Sequence, residues 1–264
     1  MTELRHLQLV ILDIIKDIDA VCRTNGIEYY LLGGSAIGAI RHQGFIPWDD
    51  DLDIIMTHDN YIRFLEVCKK QLDRSKYYLQ VGGVDWPLNY SKVKLRDTIL
   101  EEPESYVPQN GERGIFVDVF KLDNVSSNGI YAHWQYLCAK VLLCYQLSLR
   151  TYKGASLKKK MLMWLTFPLK YDVLHRFLTK QVEYLNCGSS EYWGFFYGRT
   201  KYRTSVLNKK IYGTPLRVPF ENLELPVPEH YHEYLTKMFG NYMQLPPKEQ
   251  RVGLHLLSVD FGAY

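Results

Sequence analysis

No pair of cysteines stands in C-x-x-C spacing, and the five present, Cys22, Cys68, Cys138, Cys144 and Cys187, are odd in number. Neither a structural zinc site nor a disulfide frame organises such a chain, and a reducing compartment, the cytosol, is expected. No run of about 20 apolar residues occurs, which excludes an ordinary spanning helix. Glu3, Arg5, Asp13 and Lys16 break up the apolar start, so no signal-peptide core is expected. A dominant charge is also missing: 32 Lys+Arg against 29 Asp+Glu leave a formal +3, too little to coat nucleic acid. Two familiar phosphate loops are absent. The Gly-Lys-Ser/Thr of a Walker loop does not occur, and Gly33 to Gly38 does not match the dinucleotide fingerprint. Asp49, Asp51 and Asp53 mimic the start of a calcium hand, but Ile54 replaces its glycine and Asn60 its final glutamate. Internal repeats and low-complexity linkers are lacking.

What is present is a globular chain of 264 residues, 47% hydrophobic, enough for one large domain or a core with a smaller lobe. Leu4, Leu7, Ile11, Ile14, Ile18 and Val21 recur at helical spacing, and Asn25-Gly26 supplies a stop. Tyr29 to Leu32 reads as a strand ending at Gly33-Gly34, with Ser35 as cap of a helix from Ala36 to about Arg41. Leu52 to Met56 reads as a second strand, and Thr57-His58-Asp59 starts a helix. Tyr77 to Val81, Tyr90 to Leu95 and Ile115 to Phe120 are further strands, and Glu101 to Gly114 reads as a loop. Residues 131 to 187 are helical in character, and a short helix is expected around Tyr231 to Phe239. The fold class is therefore α+β: a mixed sheet flanked by helices over residues 1–125, and a mainly helical lobe over 126–264 packed as part of one unit.

The chemistry concentrates in Gly33-Gly34-Ser35 and Asp49-Asp50-Asp51-Leu52-Asp53. Strand alternation points Asp51 and Asp53 to one face. Two carboxylates roughly 5 Å apart at an effective dielectric of about 20 repel by about 3 kcal/mol, a cost that a divalent cation removes. Hard oxygen ligands select magnesium, with manganese the alternative. The Gly34–Ser35 turn, between a strand and a helix start, offers N–H groups and a hydroxyl to an anionic oxygen. Asp118, mid-strand in Gly114 to Phe120, is the third acid of such a site and a candidate to receive a proton from an attacking hydroxyl. Asp123, nearer a turn, is the weaker alternative. Arg41, Lys92, Lys94 and Arg96 are the basic groups suited to phosphate. A solvated acidic loop and an exposed basic strand face are the plain alternatives to these readings.

Leu32 to Ser35 with Ala39 to Asp53, then Phe116 to Asp123, then Tyr242 to Pro247, resemble three blocks of the LicD family, which includes the fukutin-related proteins. The blocks span nearly the whole chain. The resemblance implies a nucleotidyltransferase-like fold and transfer of phosphocholine, or a related phospho-alditol, from a cytidine diphosphate donor to a glycan hydroxyl. It implies that Asp51, Asp53 and Asp118 hold magnesium, that Asp118 is also a candidate base, and that Gly34 and Ser35 cradle the donor phosphates. Lys121 departs from the family, whose members often carry proline there, and is expected to alter loop shape rather than chemistry.

The expected reaction is phosphocholine transfer from CDP-choline to a sugar of a teichoic acid, lipopolysaccharide or capsule precursor. Glycerol phosphate, ribitol phosphate or phosphoethanolamine as cargo remains open, as do a DxD glycosyltransferase and a non-catalytic glycan-binding module. Trp48, Trp86 and Tyr90 are guesses for an aromatic cage around the choline ammonium. Lys158-Lys159-Lys160 beside Met161 to Leu165 and Phe167 suggests peripheral contact with the inner face of a membrane, where a lipid-linked acceptor is met; a basic edge above a packed lobe is the alternative. His255 is noted near the C-terminus without a role.

Overall fold

The computed structural model describes residues 1–101, 104–105, 112–149, 151–152, 157–198, 200–253 and 257–264. His255, most of the expected loop from Glu101 to Gly114, and the side chains of Lys158, Lys159, Leu162 and Met163 lie outside the described residues.

Helix α1 (Glu3–Thr24) forms where the apolar spacing predicts it, with the Thr2 hydroxyl accepting the Arg5 amide at its start. Its buried stripe includes Leu7, Ile11, Ile14, Ile15, Ile18 and Cys22. Gly26, at φ +59°, lets the chain reverse after the helix. Then come β1 (Tyr30–Leu31), α2 (Gly33–His42), β2 (Asp53–Thr57), α3 (His58–Gln71), β3 (Tyr77–Gln80) and β4 (Ser91–Leu95). β5 (Ile99–Glu101), β6 (Glu104–Ser105) and β7 (Phe116–Val125) complete the first half. Thr57 caps α3 by accepting the Asn60 amide.

The helical lobe holds α4 (Gly129–Ser148), β8 (Thr151–Tyr152), α5 (Leu157–Leu165), a 3-10 turn at Phe167–Lys170, and α6 (Asp172–Glu183). It has its own small core around Val125, Ala139, Leu142, Leu169, Leu178 and Phe196. The chain then returns through β9 (Tyr192–Gly194), α7 (Tyr202–Ser205), β10 (Val206–Asn208) and α8 (Lys209–Tyr212). It ends with the hairpin β11 (Leu216–Phe220) and β12 (Leu223–Val227), then α9 (Tyr231–Phe239) and β13 (Ser258–Asp260). Phe220, Leu225, Val227, Tyr234 and Leu235 join the main core, so this last part packs on the first half.

The principal sheet runs β1-β2-β7-β4-β3, with β9 and then β10 beyond the far half of β7. β2 and β7 are parallel; β1, β4, β3 and β9 pair antiparallel to their neighbours. β7 is the longest strand, bonded along its first half by β2 and β4 and along its second by β9. It outruns the expected Ile115 to Phe120 because Lys121 and Asp123, which read as turn residues, are buried within it.

Lys121 is thus a strand residue, a correction to the loop role expected of it. Its ammonium lies 2.5 Å from Glu183 Oε1 on α6 and 3.7 Å from Asp123 Oδ1. Burial opposes the charge of Asp123, but Lys121 and hydrogen bonds from His58 and Asn186 hold its carboxyl below the usual range. Replacing Lys121 by Met would leave a fully buried carboxylate without its ammonium. We expect Lys121→Met to lower unfolding stability by roughly 3 kcal/mol in urea titration; an unchanged midpoint would show that the pair carries no such weight.

Candidate active site

The site is built on the parallel pair β2–β7. Asp53 opens β2, and its register partner is Asp118 on β7. Neighbouring strands run about 4.8 Å apart, so the ladder itself sets the two acids side by side. From the other side, Lys92 on β4 is the partner of Asp118, and its ammonium lies 3.1 Å from Asp118 Oδ1. Three strands distant in sequence thereby place two carboxylates and one ammonium in a row.

Asp49, Asp50 and Asp51 arrive on the loop that enters β2, with carboxylate oxygens within 4.8 Å of one another. That loop is held from three directions. Buried Gln8 on α1 donates its amide to the carbonyls of Ile46 (3.2 Å) and Asp49 (2.9 Å). Glu221, in the β11–β12 turn, accepts the Phe45 amide and is itself held by two bonds from Arg5 at 2.9 and 2.6 Å. On α2, a Cβ at Gly38 would meet the Gly44 carbonyl oxygen at 2.5 Å, so only glycine allows the loop to lie that close. Gly34 serves the same end: a Cβ there would meet Asp49 Oδ2 at 2.8 Å.

Crowding perturbs these acids. Burial, then Asp51 and Asp50, push the Asp49 carboxyl up to about 8, against an opposing pull from Arg41. Burial is also the chief cause of the rise at Asp53, reinforced by Asp51, Asp118 and Asp49 and opposed by Lys92. A set of oxygen-only ligands that raise one another's pKa is suited to a hard divalent cation. Among the described residues it is Asp49, Asp50 and Asp51 whose oxygens gather closely enough to share an ion, and these fit magnesium; the expected set of Asp51, Asp53 and Asp118 is joined by strand register and by charge rather than as such a cluster. The carboxylates of His58-neighbour Asp123 and of Glu183 form a separate group around Lys121, which supplies the positive charge there.

Other predicted residues are placed as follows. Ser35 does not cap α2, which begins at Gly33 with Leu32 at its N-cap; its buried hydroxyl instead accepts the Asp53 amide at 2.9 Å and so ties the glycine turn to β2. Asp51 precedes β2 rather than sharing its pleat, since the strand starts at Asp53. Arg41 donates to the carbonyls of Tyr242 (2.6 Å) and Gln244 (3.4 Å), which brings the third sequence block against the acid loop. Lys94 is buried and donates to the Glu112 carbonyl, and Arg96 pairs with the Glu112 carboxylate. The guessed aromatic cage is not assembled. Trp86 and Tyr90 pack edge to face, and the Lys92 ammonium sits 5.3 and 5.9 Å from their ring centres and 3.2 Å from that of Phe116. Trp48 instead meets His42 and Arg251.

The sequence reading names Asp49 without giving it a role of its own, and it does not reach Gln8, Tyr234 or Arg251. Asp49 was legible as part of the acidic run. Gln8 carried no signal beyond being polar on the buried side of α1. Burial pushes the Tyr234 hydroxyl on α9 up, against the Gly33 backbone and with the charge of Asp53, so the ring backs the turn. Arg251 lies close enough to Arg41 to lower its pKa, after burial.

A carboxyl whose folded pKa is raised binds protons more readily in the folded than in the unfolded state, so stability falls as pH rises between the two values. For Asp49 that window runs from 3.8 to about 8. We expect the melting temperature in chelator to fall across it and magnesium to restore the loss at the upper end. A flat profile, or no response to magnesium, would contradict the crowding described.

Comparison with known proteins follows the same residues. A family model described as LicD/FKTN/FKRP, nucleotidyltransferase domain, matches residues 26–158. The "Lipopolysaccharide cholinephosphotransferase LicD" of Haemophilus influenzae is 29% identical over 272 residues, covering 96% of this chain and 96% of that protein. Uncharacterized proteins of Rickettsia typhi and Rickettsia prowazekii are 41% and 39% identical over 59 residues, 22% of this chain. The glycine turn, the acid loop and both acid-bearing strands all fall inside the matched half, and the chain belongs to the LicD/FKTN/FKRP family, of which it carries the nucleotidyltransferase domain.

Proposed function

We propose that the chain transfers phosphocholine from CDP-choline to a sugar hydroxyl of a cell-surface glycan, with a lipopolysaccharide precursor as the leading acceptor class. The single observation that carries this reading is the Asp53–Asp118–Lys92 row set by strand register, beside the Asp49–Asp51 loop. The end-to-end likeness to a protein named for that transfer supports the cargo and acceptor.

Magnesium, with manganese the alternative, would be held by Asp51, Asp53 and Asp118 and would supply positive charge toward the donor diphosphate. The rest falls to the chain's own groups. The acceptor hydroxyl oxygen bonds to the phosphorus that bears choline, the bond from that phosphorus to the bridging oxygen breaks, and cytidine monophosphate leaves with that electron pair. The hydroxyl proton passes to a carboxylate, for which Asp118 is the candidate, with the ammonium of Lys92 3.1 Å from its Oδ1. Arg41, on the C-terminal side of α2, and the Gly34 N–H are the groups that would orient the donor phosphates, since the Ser35 N–H donates to the Leu32 carbonyl at 3.1 Å. Lys94 supports β4 through Glu112 and reaches phosphate only by leaving that bond.

The test is incubation of the purified chain with magnesium, CDP-choline and acceptor glycan. Expected products are cytidine monophosphate and a glycan heavier by one phosphocholine in mass spectrometry. Asp118→Asn should lower kcat by about a thousandfold while the chain stays folded. Release of cytidine monophosphate only from glycerol-, ribitol- or ethanolamine-linked donors would transfer the reading to that cargo, and release of a nucleoside diphosphate would replace it with glycosyl transfer.

A further inference from the structure

The helices of the second lobe are apolar on two sides. On α6, Leu178 and Val182 face the small core, yet Val173 and Phe177, with Tyr184 at the helix C-cap, form an outward stripe that is 76%, 50% and 71% exposed. Helix α4 repeats the pattern: Ala132, Ala139 and Leu142 are buried, while Ile130, Trp134 and Leu137 are exposed. The two stripes adjoin, because the Trp134 indole donates to Gln181 on α6 at 3.1 Å. Met161, Trp164 and Leu165 on α5 add a third exposed set, joined to α6 through exposed Phe167 and Tyr171. An apolar face of this extent on a polar chain marks a surface that is covered by something.

Charge says by what. Between residues 157 and 184 six basic residues stand against two acidic ones, a net +4, whereas the whole chain is only +3. The positive excess of the protein thus resides in this segment. Of its two acids, Asp172 is paired with Arg176 at 2.7 Å and Glu183 is turned to Lys121. Exposed Lys180 and Arg176 border the α6 stripe, and the Lys170 ammonium lies 4.0 Å over the Phe167 ring and 5.2 Å from that of Tyr171. A symmetric pairing of two copies through this face would bring two basic rims together. Among the described residues no helix is long and apolar enough to cross a membrane.

We propose that the α4–α5–α6 face is an interfacial docking surface for an anionic lipid bilayer, with the aromatic and aliphatic side chains entering the headgroup region and the lysines meeting lipid phosphates. It lies on helices outside the β2–β7 site and does not depend on the reaction assigned there.

Co-sedimentation of the full chain with phosphatidylglycerol–phosphatidylcholine vesicles, against vesicles of phosphatidylcholine alone, tests it. Binding to the anionic vesicles should be about tenfold tighter or more, and should weaken in about 0.5 M sodium chloride. Trp164→Glu with Phe177→Glu should reduce it by at least about tenfold with an unchanged thermal melt, since both side chains are exposed. Lys170→Glu with Lys180→Glu should do the same through charge alone. Equal binding by wild type and both double variants, or no binding to anionic vesicles, would overturn the proposal. So would a stable dimer in sedimentation velocity that the Trp164/Phe177 variant dissolves.

Discussion

Like charges held close together are the constraint around which this protein is arranged. Burial, with the charges of the neighbouring acids added, raises the carboxyls of Asp49 and Asp53, and two carboxylates roughly 5 Å apart repel by about 3 kcal/mol. A flexible loop would simply splay them apart. Here the strand ladder fixes Asp53 against Asp118, Gln8 and Glu221 pin the incoming loop, and two glycines on α2 remove the atoms that would push it away. The large core on either side of β2 and β7 supplies the stability that this arrangement draws down.

The helical lobe connects to the core through a second electrostatic arrangement of opposite character. Where the acid loop gathers negative charge, the far half of β7 neutralises it. Asp123 is buried among Lys121, His58 and Asn186, and Lys121 continues to Glu183 on α6. One strand thus carries a half that faces the acid loop and a compensated half that faces the helical lobe. The change falls between Asp118 and Asp123, whose odd spacing puts them on opposite faces of the sheet.

Much of the fold was legible, since its main signals are local. Apolar spacing located α1, alternation located β2, β3 and β4, and Thr57 announced α3. The acid cluster was legible because carboxylates that run together next to an apolar strand have few other uses. Register was not. That Asp118 faces Asp53 and Lys92 depends on which strands pair, and pairing is decided by packing across the whole chain. Ser35 misled for a related reason: a serine after glycines suggests a cap, but the nearby amide of Asp53 claims its oxygen. Trp86 and Tyr90 were read as a cage for a bound cation, and the cation they meet is the chain's own Lys92.

The parallel register between Asp53 and Asp118 has an evolutionary corollary. The separation of the two acids is dictated by a hydrogen-bond ladder rather than by contour length. Residues added or deleted in the turns around β3, or between β4 and β7, leave that separation intact so long as the strands themselves still pair. Relatives are therefore free to diverge in size between the two motifs, and a comparison anchored on the strands will align functional groups that one counting intervening residues would misplace.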